Sequence, residues 1–152
     1  MKANFLSLRE TELQPVFSTL DTIIDSFLIQ GKKPILLFSG EMGAGKTTFI
    51  REWFSRYGTN SSINSPTFSL YNVYDSHKMR LVHFDLYRIH SIDELENLGF
   101  EEIWGKEDLT AIEWWQKAEP ILPKENRIYI TITSENFENR TYSIEWSVED
   151  VT

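Results

Sequence analysis

The eight residues Gly40-Glu-Met-Gly-Ala-Gly-Lys46-Thr47 match G-x-x-x-x-G-K-[ST] at every fixed position, a pattern suited to holding a polyphosphate. Gly40, Gly43 and Gly45 let the backbone turn successive N–H groups towards an anion. A helix opening near Gly45 adds the partial positive charge of its N-terminus. Lys46 is placed to reach the β and γ phosphates, and the Thr47 hydroxyl to take one position around Mg²⁺. Gly40, Glu41, Met42, Gly43, Ala44, Gly45, Lys46, Thr47 and Thr48 are therefore the candidate nucleotide-binding stretch, with ATP and Mg²⁺ as the implied cofactors. ATP is favoured over GTP because the chain has no N/T-K-x-D sequence of the kind that reads guanine.

Hydrolysis needs more than a loop: a carboxylate near the metal and a group that orients water. Asp85 closes Leu-Val-His-Phe-Asp and Glu113 closes Leu-Thr-Ala-Ile-Glu, both at the ends of apolar runs. The carboxyl ends of strands face the ligand crevice in open α/β sheets, so both can converge on the phosphates. The residues alone leave open which binds Mg²⁺ and which positions water, and a solvated strand-end acid remains the plain alternative for either. Trp114, directly after Glu113, stands where a ring could line the nucleotide pocket. On a regular strand His83 shares a face with Asp85. It reads as a packed or surface histidine, as do His77 and His90.

To position these groups, the loop must join a buried strand to a helix. Ile35-Leu-Leu-Phe38 is a continuous apolar run bounded by turn residues, the pattern of a buried parallel strand. The helix after the loop is expected to run to about Tyr57, with Phe49, Ile50, Trp53 and Phe54 inward. Upstream, Thr11-Glu-Leu-Gln14 has the form of a capping box opening a helix towards Gln30. Gly58–Pro66 has loop composition, and Phe68–Tyr74 and Arg80–Leu86 read as strands. Ser91-Ile-Asp-Glu94 opens a short helix stopped by Gly99. Leu109–Trp114 reads as a buried strand. Arg127–Thr133 and Thr141–Ser147 read as a C-terminal β-hairpin. The order predicts an α/β fold, a P-loop NTPase-like three-layer sandwich on a mixed sheet, with 1–152 as one domain.

Bulk composition agrees. The 152 residues suit one domain, and five Trp, six Tyr and ten Phe can fill one core. With no cysteine there is no disulfide, thiolate metal site or cysteine nucleophile. The longest apolar run, Pro34–Phe38, is far short of a membrane span, and MKANFLSLRE lacks a signal peptide's apolar stretch. The expected location is cytoplasmic, with no membrane partner. A net charge of −8, from 15 basic and 23 acidic residues, disfavours direct gripping of nucleic acid. Any RNA is expected to be held by a partner.

The motifs taken together resemble the TsaE (YjeE) family. The resemblance rests on the loop with Thr48 and Phe49, Ser65-Pro-Thr-Phe, His83-Phe-Asp-Leu-Tyr-Arg88, Glu94-Leu-Glu-Asn-Leu-Gly99, Ile112-Glu-Trp114 and Ile121-Leu-Pro123. It implies an ATPase required for threonylcarbamoyladenosine modification of tRNA, acting with a complex of TsaD and TsaB, tRNA being reached through that complex. It implies catalytic roles for Lys46, Asp85 and Glu113. Thr47 and Glu113 would lie on the metal side, Asp85 would be the catalytic carboxylate, and Ser65-Pro66-Thr67 would form a switch-like loop. Glu41-Met42 stands where the family usually has Asp-Leu, and Trp115-Gln116 is also a departure. Beside this reading stand a small-molecule P-loop kinase, for which the seven scattered arginines offer no lid, and a nucleotide-dependent binding switch.

Overall fold

The computed structural model describes residues 1–58 and 70–147. The Ser65-Pro66-Thr67 stretch, most of the expected loop and the start of the strand expected at Phe68 lie outside them. The fold is built on strand β2 (Ile35–Ser39), whose side chains alternate between two cores. Leu36 and Phe38 face helices α1 (Gln14–Ile29) and α2 (Lys46–Ser55). Ile35 and Leu37 face the opposite layer, which contains the short helix α3 (Ile92–Leu98), Phe100 and Trp104. With helices on both faces, β2 can be apolar throughout.

Three further strands run parallel with it: β5 (Leu109–Glu113) and β6 (Arg127–Ser134) flank β2, and β4 (Arg80–Asp85) lies beyond β5. The edges are antiparallel. β3 (Tyr71–Asp75) pairs with β4, β7 (Arg140–Trp146) with β6, and β1 (Lys2–Leu8) with β7. The sheet order is β1-β7-β6-β2-β5-β4-β3, a mixed sheet between two helical layers, as the sequence led us to expect. No helix among the described residues is long and apolar enough to cross a membrane.

Two local expectations need correction. Thr11–Gln14 makes no capping box: Glu10–Glu12 form a 3-10 turn in which Arg9 N donates to Glu12 Oε1 at 2.9 Å, and α1 begins at Gln14. Strand β1 has no counterpart in the sequence reading. Its pattern is mostly exposed and its pairing with β7 breaks register between Phe5 and Leu8, so it shows neither clean alternation nor an apolar run. By contrast, Ser91 caps α3 by accepting from Glu94 N, and Gly99 ends it at φ 72°.

Helices α1 and α2 are joined by one polar cluster. Asp21 accepts from Trp53 Nε1 at 2.9 Å, from Arg56 Nη2 at 2.7 Å and from the Tyr57 hydroxyl. Burial pushes the Asp21 carboxyl up, but the bonds from Arg56, Tyr57 and Trp53 outweigh it and hold the group below the ordinary carboxylate range. Asp21→Ala is expected to lower stability by about 2–4 kcal/mol at neutral pH, read by urea unfolding. Because the folded value is depressed, this contribution is present above the ordinary carboxylate pKa and is lost as pH falls through the folded value. Wild type and variant should therefore converge in acid.

Candidate functional site

β2 delivers the glycine-rich loop to the carboxyl edge of the sheet. Gly40 lies so close to β6 that a Cβ there would sit 2.8 Å from the Ile132 carbonyl oxygen. Gly43 (φ 81°) and Gly45 (φ 102°) occupy the left-handed region that other residues rarely adopt. The turn closes with Ala44 N donating to Glu41 O at 3.0 Å, and α2 begins with Phe49 N donating to Gly45 O at 2.8 Å. Lys46, only 6% exposed, donates from Nζ to Gly40 O at 2.7 Å. Its ammonium lies 3.9 Å from the centre of the Trp114 ring, a cation–π distance. Burial pushes the Lys46 ammonium below the ordinary lysine value, opposed by the negative charges of Glu113 and Asp85.

The parallel register sets Asp85 beside Glu113, with His83 beside Ala111 two residues earlier. Strand alternation puts all four on the α2 face. Glu113 is 3% exposed. Its Oε2 accepts from the Thr47 hydroxyl at 2.8 Å and lies 2.6 Å from His83 Nε2. Asp85 Oδ1 accepts from Tyr87 N at 3.0 Å. Trp114, at φ 59°, turns the chain out of β5, a conformation that costs a non-glycine residue about 1 kcal/mol. That turn lays its ring over Lys46 and 5.1 Å from the Tyr87 ring.

These groups enclose a cleft of about 530 Å³ lined by Met42, Gly43, Gly45, Lys46, Thr47, Thr48, Asp85, Glu113 and Trp114, together with Glu10, Leu70, Tyr87, Arg88 and Arg140. Nine of the residues singled out from sequence thus share one space. Gly40, Glu41 and Ala44 do not border it: Gly40 packs on β6, Ala44 is buried, and Glu41 is exposed. A second cleft, of about 670 Å³, adjoins the first through Glu10, Gly43 and Arg140 and extends to Arg9, Thr11 and the hairpin tip. There Phe137 is 97% exposed. Trp115 Nε1 and Gln116 Nε2 donate to Ser39 Oγ at 2.9 and 3.1 Å, anchoring the segment after β5 to the end of β2.

Sequence reasoning missed Arg140, Arg88, Glu10 and the His83 contact. Arg140 begins β7, with Nη1 3.7 Å from Glu10 Oε1 and its buried Nε, beside Gly45, without a partner among the described residues. Nothing in its local sequence marks it. His83 and Arg88 do belong to His83-Phe-Asp-Leu-Tyr-Arg88, where side-chain alternation already placed His83 on the face of Asp85.

A mixed sheet carrying this loop between β2 and α2 defines a nucleotide-binding P-loop fold. YdiB of Bacillus subtilis shares it, with a TM-score of 0.61 and 23% identity over 95% of this chain and 84% of that one. The sequence model of threonylcarbamoyl adenosine biosynthesis protein TsaE matches residues 13–142, and the chain belongs to that family. Relatives named tRNA threonylcarbamoyladenosine biosynthesis protein TsaE include those of Rickettsia prowazekii and Borreliella burgdorferi. The first is 46% identical over 56% of this chain and 60% of its own length, the second 39% identical over 64% and 71%. The chain spans 51–60% of the length of the Rickettsia prowazekii, Rickettsia conorii and Rickettsia typhi relatives it matches.

The tight seat of Gly40 is open to test. Gly40→Ala forces the loop or β6 to move, and scanning calorimetry should show a loss of about 1–3 kcal/mol. An unchanged thermal midpoint would show that the contact yields at no cost.

Proposed function

We propose that this protein binds Mg·ATP in the first cleft and hydrolyses it slowly, in support of threonylcarbamoyladenosine modification of tRNA with a TsaD–TsaB complex. The observation that carries the nucleotide reading is the Thr47–Glu113 bond at the foot of the phosphate loop. A threonine hydroxyl that donates its hydrogen bond to a carboxylate keeps oxygen lone pairs for a cation. Mg²⁺ prefers oxygen donors and is held by one or two protein groups plus phosphates and water. Thr47 and Glu113 fit that demand, and no cluster of three or more His, Cys, Asp or Glu suited to a metal occurs among the described residues.

Bound there, Mg²⁺ would neutralise charge on the β and γ phosphates. The chain's own residues do the rest. Backbone N–H groups of the loop and the α2 N-terminus cradle the phosphates. Lys46 leaves the Gly40 carbonyl to meet them, and the Trp114 ring shields its charge from water. Asp85, oriented by Tyr87 N–H, holds the attacking water and accepts its proton. The second cleft, reached past Gly43 and Arg140, takes the base. Family membership supports the place in tRNA modification. The excess of acidic residues supports reaching RNA through partners.

Lys46→Ala should weaken ATP binding by about 10- to 100-fold, the loss of a charged hydrogen bond, by calorimetric titration. Glu113→Ala should weaken Mg²⁺-dependent binding and hydrolysis, while metal-free binding persists. Phosphate release by the wild type should be weak alone and rise with TsaD–TsaB and tRNA from the same organism. Unchanged turnover in both variants would remove the site assignment, and transfer of phosphate to a metabolite would favour a kinase. In the wild type, ATP affinity should fall with rising pH, beginning below the ordinary lysine value of 10.5, because the buried Lys46 loses its proton early.

A further inference from the structure

We propose that His83 is a positioning residue that locks the Glu113 carboxylate for the metal; this rests on the Mg·nucleotide reading above. His83 is 0% exposed, beneath the cleft rather than in it. A buried imidazole without polar partners is costly, and among the described residues this one has a single polar contact, Nε2 to Glu113 Oε2 at 2.6 Å. Its Nδ1 is buried and has no partner among the described residues. A carboxylate only accepts, so the Nε2–H donates to Oε2 while Nδ1 is turned to the core. That polarity makes the ring a donor dedicated to one oxygen.

The neighbouring positions permit the reach. Ala111 stands beside His83 in the strand register, and Glu113 is next along the same face. The small Ala111 side chain leaves the imidazole room to extend diagonally to Oε2. The same oxygen takes the Thr47 hydroxyl from the opposite element, α2. Held from β4 and from α2 at once, the carboxylate cannot rotate about its terminal torsion without breaking a bond. Among the described residues Oε1 accepts no hydrogen bond, so it is the oxygen presented to the metal or its waters. His83 therefore acts through Glu113, and touches neither nucleotide nor metal. Donors of this kind behind a ligating carboxylate are worth 10- to 100-fold in metal affinity.

The test compares His83→Leu, which keeps bulk and loses the donor, with His83→Gln, whose side-chain amide restores a donor near Nε2. Mg²⁺ is titrated into protein saturated with ADP and followed by calorimetry; ADP affinity is also measured in EDTA. His83→Leu should need about 10- to 100-fold more Mg²⁺, with metal-free ADP affinity within about twofold of wild type, and His83→Gln should recover most of the loss. Should the leucine variant not fold, His83→Asn, whose amide falls short of Glu113, takes its place with the same expectation. A wild-type Mg²⁺ dependence in the donor-less variant, or a glutamine variant no better than it, overturns the positioning role alone. A wild type whose ADP binding ignores Mg²⁺ removes the metal reading itself, and the role of His83 with it.

Discussion

A carboxylate buried at the end of a central strand is stable only when donors meet it, since an uncompensated ion in such surroundings costs several kcal/mol. Glu113 is that carboxylate here. The Thr47 hydroxyl and the His83 imidazole both converge on its Oε2, and Lys46 feels its charge. Three elements are fixed by this demand: α2 is held to the end of β5, β4 is held to β5 two residues before Asp85, and the loop between β2 and α2 must close over the join. The arrangement that satisfies a buried charge also sets the Thr47 hydroxyl and the Glu113 carboxylate side by side at the foot of the glycine-rich loop.

The antiparallel strands complete what the parallel core begins. β6 supplies the carbonyl of Ile132 against which Gly40 is seated, and β7 supplies Arg140 beside Gly45. β1 breaks register before Leu8, with Ser7 at φ 54°, and so carries Glu10 to the mouth of the cleft. The cleft thus collects Lys46, Arg88 and Arg140 with Glu10, Asp85 and Glu113. Its local charge is balanced although the chain as a whole carries −8, and local potential rather than net charge governs the approach of a polyphosphate. Membership of the TsaE family gives this cleft its context.

Much of this was legible in the sequence, for reasons particular to each segment. The apolar run of β2 and β5, the inward side chains of α2, the Ser91 cap and the Gly99 stop all rest on local chemistry. Local chemistry acts over a few residues and survives in a linear reading. The loop was legible because glycine takes φ of 81° and 102° readily, where other residues rarely go. β1 was not legible, because an edge strand with an exposed, bulged pattern owes its existence to pairing with β7, over a hundred residues away. The expected capping box at Thr11 is not formed: Gln14, which would have closed it, is the first residue of α1 and donates from Nε2 to Ser18 Oγ.

For the site, the sequence by itself determined the chemical inventory: the loop, Lys46, Thr47, two strand-end carboxylates and an adjoining tryptophan. Read residue by residue it left the two carboxylates interchangeable, and only the family resemblance assigned them separate roles. Tertiary structure separated them, placing Glu113 under the Thr47 hydroxyl and His83, and Asp85 one strand further out against Tyr87 N–H. It also brought in Arg140 and Glu10, which no local pattern marks. The physical reason is register. Which side chains meet across parallel strands depends on how β4, β5 and β2 align, and that alignment is settled by packing both faces of the sheet at once, not by any single segment.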